Sequence, residues 1–137
     1  MDRVRDAMIT EPRSLPGSAS ARDAGEVLTP PEVRAVYVVD DNGGLTGVVT
    51  RKTLVVRVVA TGLDPRSVTL ASIAEPPHYA IDADTALDEA FRFLEEQDAE
   101  RVPVVEGGRL VGVLSRSVLQ RRLAEDEEPP EQSPLDP

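Results

Sequence analysis

Two rounds of one hydrophobic pattern run along this chain, and each round predicts the same elements in the same order. In the first, Val4 to Met8 predicts one or two helical turns, closed by Pro12 and Pro16-Gly17. Leu15 is a short extended contact between those breakers. Ser20-Ala21-Arg22-Asp23 sets a carboxylate three residues after a hydroxyl, the reciprocal cap of a helix start. That helix runs to about Leu28 and stops before Pro30-Pro31. Ala35 to Val39 is β-rich, Asp41-Asn42-Gly43-Gly44 has turn chemistry, and Leu45 to Val49 is the returning strand of a hairpin. A helix from Arg51 to about Ala60 follows, ended by Thr61-Gly62, and Asp64-Pro65 opens a connector.

The second round starts with the turn Leu70 to Ala74, broken by Glu75-Pro76-Pro77, and a short extended piece at Ala80-Ile81. Thr85-Ala86-Leu87-Asp88 has the form of another reciprocal cap. The helix Ala86 to Gln97 carries Leu87, Ala90, Phe91 and Leu94 on one face. Phe91 belongs to its core stripe, and Phe93 lies off it, where it suits a partner. Val102 to Val105 and Leu110 to Leu114 form a hairpin around Glu106-Gly107-Gly108-Arg109, and Ser115 caps a last helix to about Leu123. Ala24, Leu28 and Val38-Val39 align with Ala90, Leu94 and Val104-Val105 without a gap. The second turn is one residue shorter, after which Leu45, Gly47, Val48, Thr50 and Leu54 align with Leu110, Gly112, Val113, Ser115 and Leu119. Two such α/β units, each too small to hold a core alone, must pack on each other. The sequence divides into a first unit with its lead-in, 1–66, a second unit, 67–124, and an acidic tail, 125–137.

Composition narrows the chemistry. Of 137 residues 40% are hydrophobic but only 3% aromatic, so the core is aliphatic, which suits a mixed α/β domain and argues against a protein that stacks bases on aromatic platforms. No cysteine and one histidine exclude a disulfide framework, a thiolate nucleophile and a histidine-rich zinc site, so no metal site is assigned. The net charge of −10 lies largely in the Pro-rich tail with Glu125, Asp126, Glu127, Glu128, Glu131 and Asp136, which is expected to be disordered. A negative body is a poor partner for nucleic acid or an anionic membrane. With no apolar span and no signal core, a cytoplasmic location is expected. No nucleophile, base or metal-ligand spacing emerges: Asp40-Asp41 and Asp82/Asp84 sit in turn or cap contexts, so no catalytic residue is assigned and the chain is not expected to be an enzyme.

The one strong functional signal is doubled. Gly47-Val48-Val49-Thr50-Arg51-Lys52-Thr53 and Gly112-Val113-Leu114-Ser115-Arg116-Ser117-Val118 each end a strand, turn, and start a helix. Each puts a hydroxyl residue and then an arginine at a helix start, where unpaired N–H groups and the helix dipole favour an anion.

These motifs, with Val4-Arg5-Asp6-Ala7-Met8 and Pro12 as an entry segment and the strand Val102-Pro103-Val104-Val105, resemble the tandem CBS domain pair, or Bateman module, over nearly all of the chain outside the tail. The resemblance implies an α+β fold of two βαββα-type repeats around a pseudo-twofold axis. It also implies a homodimer of such modules and a regulatory role in trans on a protein target. The implied ligand is AMP, ADP, ATP or S-adenosylmethionine, with no required cofactor. By resemblance, Thr50 and Ser115 hold phosphate, helped by Arg51 and Arg116. The ribose acceptor, an acid in the family, is Thr53 in one copy and Val118 in the other. Leu15 and Pro16 on one side, and His78, Tyr79 and Ala80 on the other, are expected to edge base and sugar. The alternative is a dimerisation or adaptor module that keeps the fold and has lost the pocket.

One asymmetry points to a partner surface. In the helix after Thr50, Val55, Val56 and Val59 stand where the second copy has Gln120, Arg121 and Ala124. That helix is apolar almost all round and is expected to be buried on two sides, its outer face against a second copy or a partner protein.

Overall fold

The computed structural model describes residues 2–126. The first repeat contains α1 (Val4–Ala7), β1 (Ile9–Thr10), β2 (Ser14–Pro16), α2 (Ala21–Val27), β3 (Val36–Val39), β4 (Leu45–Val49) and α3 (Arg51–Leu54). α3 continues without a break into a π-helical segment, Val55–Val59. The second repeat contains α4 (Leu70–Ile73), β5 (Ile81–Asp82), α5 (Leu87–Glu96), β6 (Arg101–Glu106), β7 (Arg109–Ser115) and α6 (Arg116–Asp126). The architecture is α+β with two similar units, as the sequence predicts.

Local chemistry sets most of these boundaries. Ser20 accepts from Asp23 N at 3.1 Å and the Asp23 carboxylate accepts from Ser20 N at 3.0 Å, which completes the expected cap of α2. The Ser20 N–H, then its hydroxyl, holds the Asp23 carboxyl below its ordinary range. The cap expected at Thr85 does not form. Helix α5 starts one residue later, and the backbone carbonyl of Asp2 accepts from Leu87 N at 3.2 Å. Chain from the far end of the sequence thus satisfies an N–H that a side chain was expected to serve. The helix after Thr50 has the expected length but widens at its valines, with Ala60 N donating to Val55 O at 2.8 Å. Four β-branched side chains in five positions crowd an α turn, and the wider π turn gives them room. Helix α6 runs past the expected end near Leu123 to Asp126, and the remaining tail expectation, 127–137, lies outside the described residues.

Only one of the two sheets keeps to the strands of a single repeat. One has the order β2-β3-β4, and the other has the order β1-β7-β6-β5. Strand β1, early in the chain, therefore closes the sheet of the second repeat, with Ile9 opposite Val113 and Thr10 opposite Gly112. The cores are crossed in the same way. Val4 is fully buried among Leu87, Leu94, Leu114 and Leu119, while Leu70 and Ile73 are buried among Ala24, Leu28, Val36 and Val49. Each buried leucine or valine contributes about 1.5–3 kcal/mol of hydrophobic stabilisation. The boundary drawn at residue 66 separates the sequence repeats, but each lead-in packs in the unit of the other.

Matching hydrogen bonds show the pseudo-twofold relation. Leu70 N donates to Ala19 O and Val4 N to Thr85 O, both at 2.8 Å. At the hairpin tips Leu45 N donates to Gly108 O at 3.2 Å, and Leu110 N to Gly43 O at 2.9 Å.

The motif glycines are explained by the crossings. A Cβ on Gly112 would lie 2.9 Å from Ile9 O and 2.6 Å from Met8 Sδ. On Gly47 it would lie 2.9 Å from Ala74 Cβ and 3.2 Å from Glu75 O. Both distances to neighbouring chain are below ordinary contact, so a side chain at either site pushes the lead-in off the return strand. Gly112→Ala and Gly47→Ala are each expected to lower the unfolding free energy by about 1–3 kcal/mol in chemical denaturation. Unchanged midpoints for both would show that the crossings are loose.

Candidate ligand-binding site

The helix start at Thr50 is built from two threonines. Thr50 Oγ1 accepts from Thr53 N at 3.3 Å, and Thr53 Oγ1 accepts from Thr50 N at 3.0 Å. This is a reciprocal cap in which a hydroxyl replaces the usual carboxylate. Thr53 is 2% exposed, so its hydroxyl serves the helix and does not face open space. In the second copy Ser115 is 3% exposed, and its Oγ lies 3.1 Å from Ser117 Oγ and 3.5 Å from Val118 N.

The arginines of the two motifs are occupied. Arg51 donates to the carbonyls of Leu28 and, at 2.8 Å, Pro30, and so holds the C-terminal end of α2. Arg116 reaches Asp98 at 3.4 Å, and its backbone N donates to Glu100 O at 2.8 Å. The expectation that both neutralise a phosphate meets this geometry: each guanidinium already has acceptors from its own repeat.

Two clefts lie where the repeats meet. The first, about 560 Å³, is walled by Thr50 and Val48 from the first motif, by Pro77, His78 and Tyr79 from the second lead-in, and by Ser117 at the start of α6. Arg34, Ala35 and Tyr37 approach from the start of β3, and Glu100, Arg101 and Pro103 from the start of β6. The second, about 320 Å³, is walled by Ile9, Glu11, Pro12 and Arg13 of the first lead-in, with Glu32, Val33 and Val113, and shares Arg34, Ala35, Tyr37 and Arg101 with the first. The first has the volume of an ordinary small-ligand pocket, with apolar walls and a few polar groups.

Thr50, His78 and Tyr79 thus come together as the sequence predicts. Ala80 follows them but does not wall the cleft, and Ser115 is replaced there by Ser117. Leu15 and Pro16 reach neither cleft. They pair with Val38 and Val39 in the first sheet, so their backbone is fixed by a ladder, and the lead-in touches the second cleft earlier, at Pro12-Arg13. Phe93 meets Tyr79 edge to face with ring centres 5.4 Å apart, which sets the tyrosine ring at the cleft.

The sequence reading missed Arg34, Tyr37 and Arg101. Among the described residues, no carboxylate forms an ion pair with Arg34 or Arg101. Arg101 Nε is buried without a hydrogen-bond partner. Tyr37 is 6% exposed, and burial pushes its phenol above the ordinary value, with Arg101 opposing the shift and Tyr79 adding to it. The available signal was a basic residue directly before each V-x-V strand core, Arg101 before Val102 and Arg34 just before Ala35-Val36.

The expected interface valines lie on the surface: Val55 is 55%, Val56 49% and Val59 70% exposed, with Leu63 at 49% beside them. Val59 and Leu63 edge an apolar groove of about 350 Å³ that continues over Leu54 and Val58 to Ala21 and Gly25 of α2. Among the described residues no helix is long and apolar enough to cross a membrane.

Comparison with known proteins fits this architecture. The family model for the CBS domain matches twice, over residues 4–60 and 70–125. Hypoxic response protein 1 of Mycobacterium tuberculosis is 28% identical over 125 residues, 91% of this chain and 87% of that protein. A crystal structure of hypoxic response protein I with two coordinated zinc ions superposes with a TM-score of 0.76 at 27% identity, covering 88% of this chain and 98% of that one. CBSX2, of Arabidopsis thaliana, in complex with AMP gives a TM-score of 0.75 at 27% identity, over 91% of this chain and 98% of that one. The cytosolic domain of the magnesium channel MgtE in complex with ATP gives 0.73 at 27% identity, over 88% of this chain and 48% of that one. With two matched copies, crossed lead-ins and clefts between the repeats, the chain belongs to the CBS domain family and is a CBS pair.

Proposed function

We propose that this chain is a regulatory module that binds an adenine nucleotide or adenosyl ligand in the first cleft and acts in trans on a partner protein. One observation carries the reading: a cleft of about 560 Å³ built from both repeats, holding both tyrosines of the chain and two guanidiniums that, among the described residues, have no carboxylate partner. Arg34 and Arg101 supply charge-assisted donors for a phosphate, and Tyr37 and Tyr79 supply flat apolar surface for a base. The complexes of CBSX2 with AMP and of MgtE with ATP support the same ligand class. The zinc of hypoxic response protein I does not transfer. This chain has no cysteine and one histidine, and no cluster of three potential ligands forms among the described residues.

Ribose recognition is reduced. Thr53 is spent in the cap and Val118 offers no acceptor, where the family places an acid. Loss of a charged acceptor costs about 1.5–3 kcal/mol, which is about tenfold to a hundredfold in affinity. This also supports the second reading, an adaptor module without a ligand. Calorimetry with AMP, ADP, ATP and S-adenosylmethionine separates the two. Binding of at least one is expected, weakened about tenfold by Tyr79→Ala through lost stacking. Silence toward all four at millimolar concentration would leave the adaptor reading.

The partner surface is the valine patch. Its helix starts at Thr50, on the wall of the first cleft, and carries the exposed valines one turn later, so cleft and patch share one rigid element. A second copy of the chain covers it in this reading, and the regulated target docks on the resulting dimer. Light scattering is expected to give a dimer at micromolar concentration and a monomer for Val56→Glu. A wild-type monomer, unchanged by the substitution, removes the patch as an interface.

A further inference from the structure

The two clefts are not independent. Arg34, Ala35, Tyr37 and Arg101 line both of them, so the same two guanidiniums face either space. Beyond this shared pair each cleft adds one net negative charge, but the first does so with one carboxylate and the second with two. The first adds Glu100 alone as a charged residue of fixed sign, while the second adds Glu11 and Glu32 against a single further cation, Arg13. Arg101 Nε, buried and without an acceptor, lies in the common wall. A buried donor of this kind marks a place where a bound acceptor is strongly favoured.

We propose that the two clefts compete for one anion through Arg34 and Arg101, so that the chain holds a single anionic ligand at a time, in the first cleft. The inference rests on reading the first cleft as an anion site. An anion there pairs with the two guanidiniums of the common wall and offsets their charge. A second anion across the same wall then has Arg13 as its one remaining guanidinium and Glu11 and Glu32 against it. Like charges in a partly dry site repel strongly, because the local dielectric is far below that of water. The duplication makes this arrangement visible. Arg34 aligns with Glu100, and Ala35 aligns with Arg101, so each repeat contributes one arginine to the wall at neighbouring but non-equivalent positions. Two sites descended from one another have in this way come to share one set of cations.

The full chain has no cysteine, so a single one can be placed cleanly. Ile9→Cys, a neutral and exposed position on the second cleft, is labelled either with a sulfonate-bearing methanethiosulfonate or with a neutral reagent of the same length. AMP is then titrated into both by calorimetry. The sulfonate is expected to weaken AMP binding at least about tenfold relative to the neutral label, a coupling of ordinary allosteric size. Unlabelled chain is expected to take one AMP, with Arg34→Gln, an exposed substitution that spares the core, weakening it. Equal AMP affinity in the two labelled proteins, or two equivalent AMP molecules per unlabelled chain, would overturn the competition while the nucleotide reading stands. No AMP binding to the unlabelled chain would overturn the competition, and the nucleotide reading falls with it only if ADP, ATP and S-adenosylmethionine are silent as well.

Discussion

The backbone of each lead-in crosses the return strand of the opposite repeat at a glycine, Ile9 over Gly112 and Glu75 beside Gly47, and the rest of the molecule is arranged around those two crossings. They come close enough that a methyl group does not fit. Because each lead-in is spent on the other unit, the second sheet takes its edge strand from the first repeat, and neither repeat completes its core alone. Val4 needs Leu114 and Leu119, and Leu70 needs Val36 and Val49. Backbone bonds at matching positions fasten α1 and α4, and α1 is held further by Arg5, which pairs with Asp84 and Glu106 of the other repeat.

The clefts follow from the same exchange. When the second lead-in crosses to the first sheet, it carries Pro77, His78 and Tyr79 past Thr50. When the first crosses back, it carries Glu11, Pro12 and Arg13 past Val113. Between them the starts of β3 and β6 form a common wall. Val36 and Val102 there enter the two cores, while Arg34 and Arg101 beside them face the clefts without an ion-pair partner among the described residues. Nucleotide recognition in the proposed function therefore depends on residues that the hydrophobic pattern leaves unassigned.

The two copies have diverged in the parts that do not touch the crossings. The cap at Thr50 keeps two hydroxyls and is half open to a cleft, while Ser115 is buried and Ser117 takes its place at the cleft wall. The helix after Thr50 widens into a π segment and turns three valines outward, where the second copy shows glutamine and arginine. Exposure of that much β-branched apolar surface in one place is a cost for a monomer, and covering it by a second copy removes the cost.

The sequence by itself determined the duplication, the order of elements and most of their ends, because these depend on local periodicity, caps and turn residues acting within a few positions. It also marked Thr50, His78 and Tyr79, since a doubled motif and a proline-flanked aromatic are visible in one dimension. Only the tertiary structure decided that the lead-ins change partners, that Asp2 and not Thr85 serves the start of α5, that Arg51 and Arg116 are held by their own repeats, and that Leu15 and Pro16 lie away from the clefts. Each of these is a contact between distant segments, where the choice of acceptor depends on which groups the crossings bring near. Arg34 and Arg101 show the same limit from the other side: in the sequence they are ordinary charges before a strand, and only the meeting of two strand starts brings them together in one wall.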